Sequence, residues 1–199
     1  MGALTHFRVD AIRKRHGLVS FVETGTGDGL GVAVAVSAGF SAIHSIEVVD
    51  ELVDAARRKF KDVPGVKIWR GESRTVLPLV LRELPEGPAL FWLDAHFPGA
   101  DYGMGTYEGE AEVARRLPLE DEIAIIHKHR AEYRDVLLID DARIYQPGPY
   151  GGGNLPDDWP ALKGVKRSLD FVRDAYLPTH GVVVDHAAQG YVMVVPRAA

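Results

Sequence analysis

The sequence predicts an α/β protein: a doubly wound, mostly parallel sheet of seven strands that ends in an antiparallel hairpin. Three observations carry this. Short apolar runs alternate with longer segments of helical period along the chain. The runs are apolar almost without interruption, as strands covered on both faces must be. The last two, Gly181–Asp185 and Tyr191–Val195, have no helical segment between them and so pair as a hairpin.

The elements follow in order. After a helical lead-in over residues 1–17, Leu18–Glu23 is the first strand and runs into a stretch with four glycines, Gly25, Gly27, Gly29 and Gly31. Leu30–Ala38 is rich in valine, but a helix after the glycine turn fits the topology better. Ala42–Glu47 is the second strand. Asp50–Phe60 is a helix with Leu52, Ala56 and Phe60 on one face, stopped by Pro64-Gly65. Val66–Trp69 is the third strand. The helix over Thr75–Leu84 tolerates Pro78 only if that residue lies in its first turn. Ala89–Leu93 is the fourth strand, Leu119–Arg130 a helix, Asp135–Ile139 the fifth strand, and Pro160–Tyr176 a helix that buries Val165, Leu169 and Val172.

Composition narrows the function classes. The chain has 199 residues, 46% of them apolar and 26% charged, which fits one domain over 1–199 with a sizeable core. Its net charge of −5 and the lack of an aromatic-basic stripe speak against a nucleic-acid partner. Without cysteine there is no disulfide, thiolate metal site or cysteine nucleophile. No apolar run reaches membrane-span length and the N-terminus has no apolar signal core, so the cytoplasm is the expected location and no membrane partner is expected.

In an open parallel sheet, ligands bind outside the carboxyl ends of the strands. Each strand stop here carries an acidic residue: Glu23, Glu47, Glu72, Asp94, Asp140 and Asp141. The glycine turn lets backbone approach a ligand, since four glycines cost folding entropy with no packing gain in view. Its spacing breaks the dinucleotide fingerprint G-x-G-x-x-G, because position 30 is Leu and position 32 is Val. Glu23 and Asp28 bracket the turn; carboxylates repel a pyrophosphate and suit a ligand with a cationic amine. Glu47, some 20 residues on, is placed to accept ribose hydroxyls. Glu72-Ser73 either meets an adenine edge or caps the next helix.

FVETGTGDGLG, IEVVD, WRGES, WLDAH and LLIDDAR together resemble the class I S-adenosylmethionine-dependent methyltransferases over roughly residues 18–196. The resemblance implies a Rossmann-like methyltransferase fold. It implies a cofactor held by Glu23, Thr24, Gly25, Gly27, Glu47, Glu72, Ser73 and Asp94; Asp28 has no role in that pattern. WLDAHF and LLIDDAR are also similar to the strand ends of metal-dependent O-methyltransferases of the catechol, caffeoyl and sugar types. That likeness implies a divalent cation, Mg²⁺, Mn²⁺ or Ca²⁺, on Asp94, Asp140 and Asp141. It implies a small-molecule hydroxyl, on a sugar or natural product, as acceptor. His96 is the candidate base, standing near where the catechol type carries a lysine. The alternative for Asp140-Asp141 is a loop pair bonded to local amides and Arg143, and for His96 a hydrogen bond closing the turn. His127 and His129 read as solvated.

Two segments, 97–118 and 143–160, are expected to shape the acceptor site. Tyr102, Tyr107, Tyr145, Tyr150 and Trp159 could line it as an aromatic wall, with Gly151–Gly153 as a hinge. Their alternative use is as a dimer contact, so a homodimer is admitted. Competing functions are an N-methyltransferase without metal, an NAD-dependent oxidoreductase or epimerase, and a non-catalytic cofactor-binding module.

Overall fold

Seven strands form one sheet in a computed structural model that describes residues 3–198; Met1, Gly2 and Ala199, the ends of the predicted lead-in and tail, lie outside the described residues. The strands are β1 (Ser20–Thr24), β2 (Ala42–Glu47), β3 (Val66–Arg70), β4 (Ala89–Leu93), β5 (Val136–Ile139), β6 (His180–Asp185) and β7 (Tyr191–Pro196). Their order is β3-β2-β1-β4-β5-β7-β6. β1 to β5 are mutually parallel and β7 alone runs against its neighbours, so the predicted terminal hairpin is present. The chain steps from β1 out to β3 and then returns to β4 on the other side of β1. The strand order therefore reverses between β1 and β4, and a crevice opens above their carboxyl ends.

The helices are α1 (Val9–His16), α2 (Leu30–Ser37), α3 (Asp50–Lys59), α4 (Ser73–Glu83), α5 (Val113–Arg116), α6 (Leu119–Arg130) and α7 (Asp170–Tyr176). They cover both faces of the sheet. Phe21, Leu90, Trp92 and Leu138 pack with Val32, Ala35, Val53 and Ala56 of α2 and α3. The intervening strand residues Val22, Phe91, Leu137 and Ile139 pack with Val76, Leu77, Val80, Ile123, Ile126 and Val172 of α4, α6 and α7. Burial on both faces is why these strands are continuous apolar runs. α6 is tied down at its end by Arg130, whose guanidinium pairs with buried Asp135 at 2.7 and 2.8 Å; Asp135 also accepts the Ala89 N–H. Among the described residues no helix is long and apolar enough to cross a membrane.

Two expectations need correction. The predicted helix over Pro160–Tyr176 is a 3₁₀ turn at Pro160–Leu162 and a separate α7. Gly164 between them has φ +80°, a left-handed conformation that ends helical winding. Leu169 and Val172 are nonetheless buried, as their spacing implied. Pro78 is not in a first turn: it is the sixth residue of α4, where its missing N–H would have bonded the Arg74 carbonyl. The loss costs roughly 3 kcal/mol. Burial of Val76, Leu77, Val80 and Leu81 on either side outweighs it.

Candidate active site

β1 hands the chain to α2 through the glycine turn, in which Gly25, Gly27 and Gly29 have φ +84°, +52° and +78°. The protein itself takes up most of the space these residues leave. A Cβ on Gly25 would lie 2.6 Å from the Asp94 carbonyl oxygen, and one on Gly29 2.6 Å from the Phe60 ring. A Cβ on Gly31 would collide with the Glu23 carboxylate. The expectation that four glycines bring no packing gain is thus overturned: three of them admit close packing of β4, α3 and Glu23 against the turn. Gly27 lines the cleft with the Tyr102 hydroxyl lying against it.

The cleft over these strand ends encloses about 950 Å³, its open mouth included. Gly25, Gly27, Glu47, Glu72, Ser73 and Asp94 line it, which brings six of the eight candidate cofactor residues together. Glu47, at the end of β2, is almost fully buried. Its Oε2 accepts the Gly27 N–H at 2.9 Å, and its Oε1 accepts the Val48 and Val49 N–H groups at 2.8 and 2.9 Å. Glu72 precedes α4 and is gripped by Arg74 at 3.0 Å and Arg115 at 2.8 Å. The remaining two, Glu23 and Thr24, are buried beneath the turn and do not line the cleft. Glu23 accepts a 2.5 Å hydrogen bond from Ser45, itself bonded to Thr26. Burial, with the negative charges of Asp94, Glu47 and Asp28, holds its carboxyl well above the usual range.

Beside the cleft, Asp94, His96 and Asp140 each bring a ligand atom within 4.8 Å of the other two. Asp94 and His96 follow β4, Asp140 follows β5, and those strands are neighbours. Asp141 does not join them. Its φ of +51° turns its carboxylate onto Arg143, at 2.8 Å, the local pairing that was the alternative reading of the Asp140-Asp141 pair. His96 takes the third place instead. Its Nε2 lies 3.0 Å from Asp94 Oδ1 but off the line a hydrogen bond requires, so both ring nitrogens and Asp140 Oδ1 are buried without a hydrogen-bond partner. Buried polar atoms are normally satisfied, and three such atoms in one place suit a cation.

Burial pulls the His96 pKa down, but Asp94 first, then Asp141 and Asp140, outweigh it and lift it from 6.5 to about 9. Burial, with Asp94 adding, raises Asp140 from 3.8 to about 8. Both groups in the folded protein therefore hold protons that the unfolded chain has released. Without a cation, these two groups contribute stability that is lost as pH rises, over about 4 to 8 for Asp140 and about 6.5 to 9 for His96. A divalent cation displaces those protons, so the gain in Tm on adding Mn²⁺ should be larger near about pH 8 than near about pH 6. Calorimetric scans with and without Mn²⁺ across that range check it; a Mn²⁺-induced gain no larger near about pH 8 than near about pH 6 would show that the cluster holds no such protons.

Three contributors escaped the sequence reading. Glu122, on α6, is 1% exposed, and burial pushes its carboxyl up to about 7. It lines a small pocket with His96, Asp140 and Tyr145. Its signal was an acid inside the apolar stripe Leu119, Ile123, Ile126. Arg74 and Arg115 line the main cleft and hold Glu72; their spacing along the chain gives no such sign. The aromatic wall is also partly corrected. Tyr102 lines the cleft, whereas Tyr150 is buried against Gly190 and His186, and Tyr145 lines the small pocket.

No protein-family model matches the chain, and no curated protein matches it by sequence. Solved structures do match its shape. One is a Staphylococcus aureus protein whose caffeoyl-CoA O-methyltransferase activity is itself an inference, with TM-score 0.64 and 11% identity over 99% of this chain and 85% of that one. Another is an O-methyltransferase from Bacillus cereus in complex with SAH, with TM-score 0.58 and 13% identity over 99% of this chain and 83% of that one. A third is TomG of Streptomyces achromogenes, an O-methyltransferase involved in tomaymycin synthesis, in complex with SAM. Its TM-score is 0.58 at 13% identity over 100% of this chain and 82% of that one. The likeness is one of fold: the chain shares the fold of these O-methyltransferase structures.

Proposed function

We propose that the protein transfers the methyl group of S-adenosylmethionine to a hydroxyl of a small molecule, a sugar or natural product, with a divalent cation assisting. The observation that carries this is the cleft at the point where the strand order reverses, lined by Gly27, Glu47, Glu72 and Asp94 from four strand ends. When bound, the cofactor supplies an electrophilic methyl on a cationic sulfonium. Lone pairs of the Glu47 carboxylate that the backbone leaves free accept the ribose hydroxyls. Glu72 and Ser73, where α4 begins, meet the adenine. Asp94, with Glu47 nearby, makes the middle of the cleft negative, which suits the sulfonium and its amine and opposes a pyrophosphate.

We assign His96, with Asp94 and Asp140, to the cation set in place of Asp141. With a pKa of about 9, its imidazole is protonated at neutral pH in the cation-free protein, which is the wrong form for a base. Two carboxylates and an imidazole suit Mn²⁺ as well as the harder Mg²⁺ or Ca²⁺. Such a cation would clamp neighbouring acceptor hydroxyls and lower the pKa of the one methylated.

The test is transfer of labelled methyl from S-adenosylmethionine to a panel of sugars and aryl diols, with and without a chelator. Asp140→Ala, which removes a cluster carboxylate that does not line the main cleft, should lower transfer at least about a hundredfold while leaving SAH binding nearly intact. Full activity in that variant would overturn the assignment of the cluster.

A further inference from the structure

Segment 97–118 leaves the end of β4 and crosses the cleft. At one end Tyr102 reaches the glycine turn. Its hydroxyl accepts the Asp28 N–H at 3.2 Å and sits where a side chain on Gly27 would be. At the other end Arg115, on α5, clasps Glu72 at 2.8 Å and Glu110 at 3.3 Å. The segment is therefore pinned across the mouth, once over β1 and once over β3. Gly99 and Gly103 flank Tyr102 with φ of +72° and +68°, and a side chain at Gly103 would meet open space. Few residues other than glycine hold that conformation, and the open space leaves the chain room to swing there.

The same segment reaches the other one. Phe97 and Tyr107 pack against Trp159 of segment 143–160, with ring centroids 5.3 Å apart for Phe97–Tyr107 and 5.4 Å for each ring to Trp159. Phe97 is buried, and the Tyr107 hydroxyl donates to the carboxylate of Asp101, the residue next to Tyr102, so movement of Tyr102 is passed to these rings.

We infer that Tyr102 is an internal competitor for the cofactor. A ligand can lie against Gly27 only as the Tyr102 hydroxyl leaves, and its departure is relayed through Phe97, Tyr107 and Trp159 to segment 143–160. Cofactor occupancy thereby resets the loop that faces the acceptor. This rests on the methyltransferase reading of the cleft.

Titration with SAH tests it on the full chain. Tyr102→Phe removes the competing oxygen and leaves the exposed Asp28 N–H to water. SAH should then bind about three- to tenfold tighter, the range of one net hydrogen bond, and associate faster by a similar factor. An unchanged or weaker Kd in Tyr102→Phe, with wild type binding normally, would overturn the competition. Wild type that fails to bind SAH would instead overturn the cofactor reading itself. In stopped flow, SAH should change tryptophan fluorescence in wild type, and most of that change should vanish in Trp159→Phe. A signal that survives Trp159→Phe in full, with Trp69 and Trp92 left to report, would overturn the relay.

Discussion

Replacing Glu47 with alanine should raise the Kd for SAH at least about thirtyfold, since two hydrogen bonds to a charged acceptor are removed from a buried site. Glu47 is the best-placed polar group of the cleft. Backbone N–H groups from two elements, Gly27 in the turn and Val48 and Val49 after β2, fix its carboxylate before any ligand arrives. A preorganised acceptor gives up little side-chain freedom on binding. Glu47→Gln keeps one acceptor oxygen and should lose less. Calorimetry on both variants, with Tm as a control for the turn they also support, measures this. A Kd within about threefold of wild type would mean that the ribose lies elsewhere.

Gly25→Ala should destabilise the fold by roughly 3 kcal/mol or more. Two costs combine. An alanine at φ +84° is strained by about 1–2 kcal/mol. Its Cβ would also meet the Asp94 carbonyl at 2.6 Å, a backbone atom at the end of β4 that cannot rotate away. β1 and β4 must then part where the cleft floor is built, so SAH binding should fail along with stability. Tm should drop by roughly 6–12 °C, at about 2–4 °C per kcal/mol for a chain of this size. Gly103→Ala is the comparison, with a similar φ but open space, and should show strain alone. Equal losses in the two variants would mean that strand packing is not what requires glycine at 25.

The sheet was legible because its strands are bounded by chemistry. β2, β4 and α6 have the limits that periodicity and polar stops imply. Helix Pro160–Tyr176 failed because the spacing of Leu169 and Val172 continues a helical period across Gly164, and only the backbone shows the left-handed break. The strand-end rule pointed to Glu47, Glu72 and Asp94, which line the cleft, and to Asp140 beside it, since the chain leaves each parallel strand at the edge of the crevice. It misjudged Asp141, whose direction depends on a backbone angle that neighbouring residues do not dictate, and so missed that His96 completes the cluster. The glycine turn shows the same limit. Sequence shows that side chains are excluded there, but which groups fill the space, Asp94, Phe60 and Glu23 rather than a ligand alone, is set by elements far along the chain.

The most direct test is a calorimetric titration of the intact protein with SAH, run with and without Mn²⁺, with NAD⁺ as control. The methyltransferase reading requires micromolar binding of SAH and no comparable binding of NAD⁺. Absence of SAH binding, or a preference for NAD⁺, would contradict it.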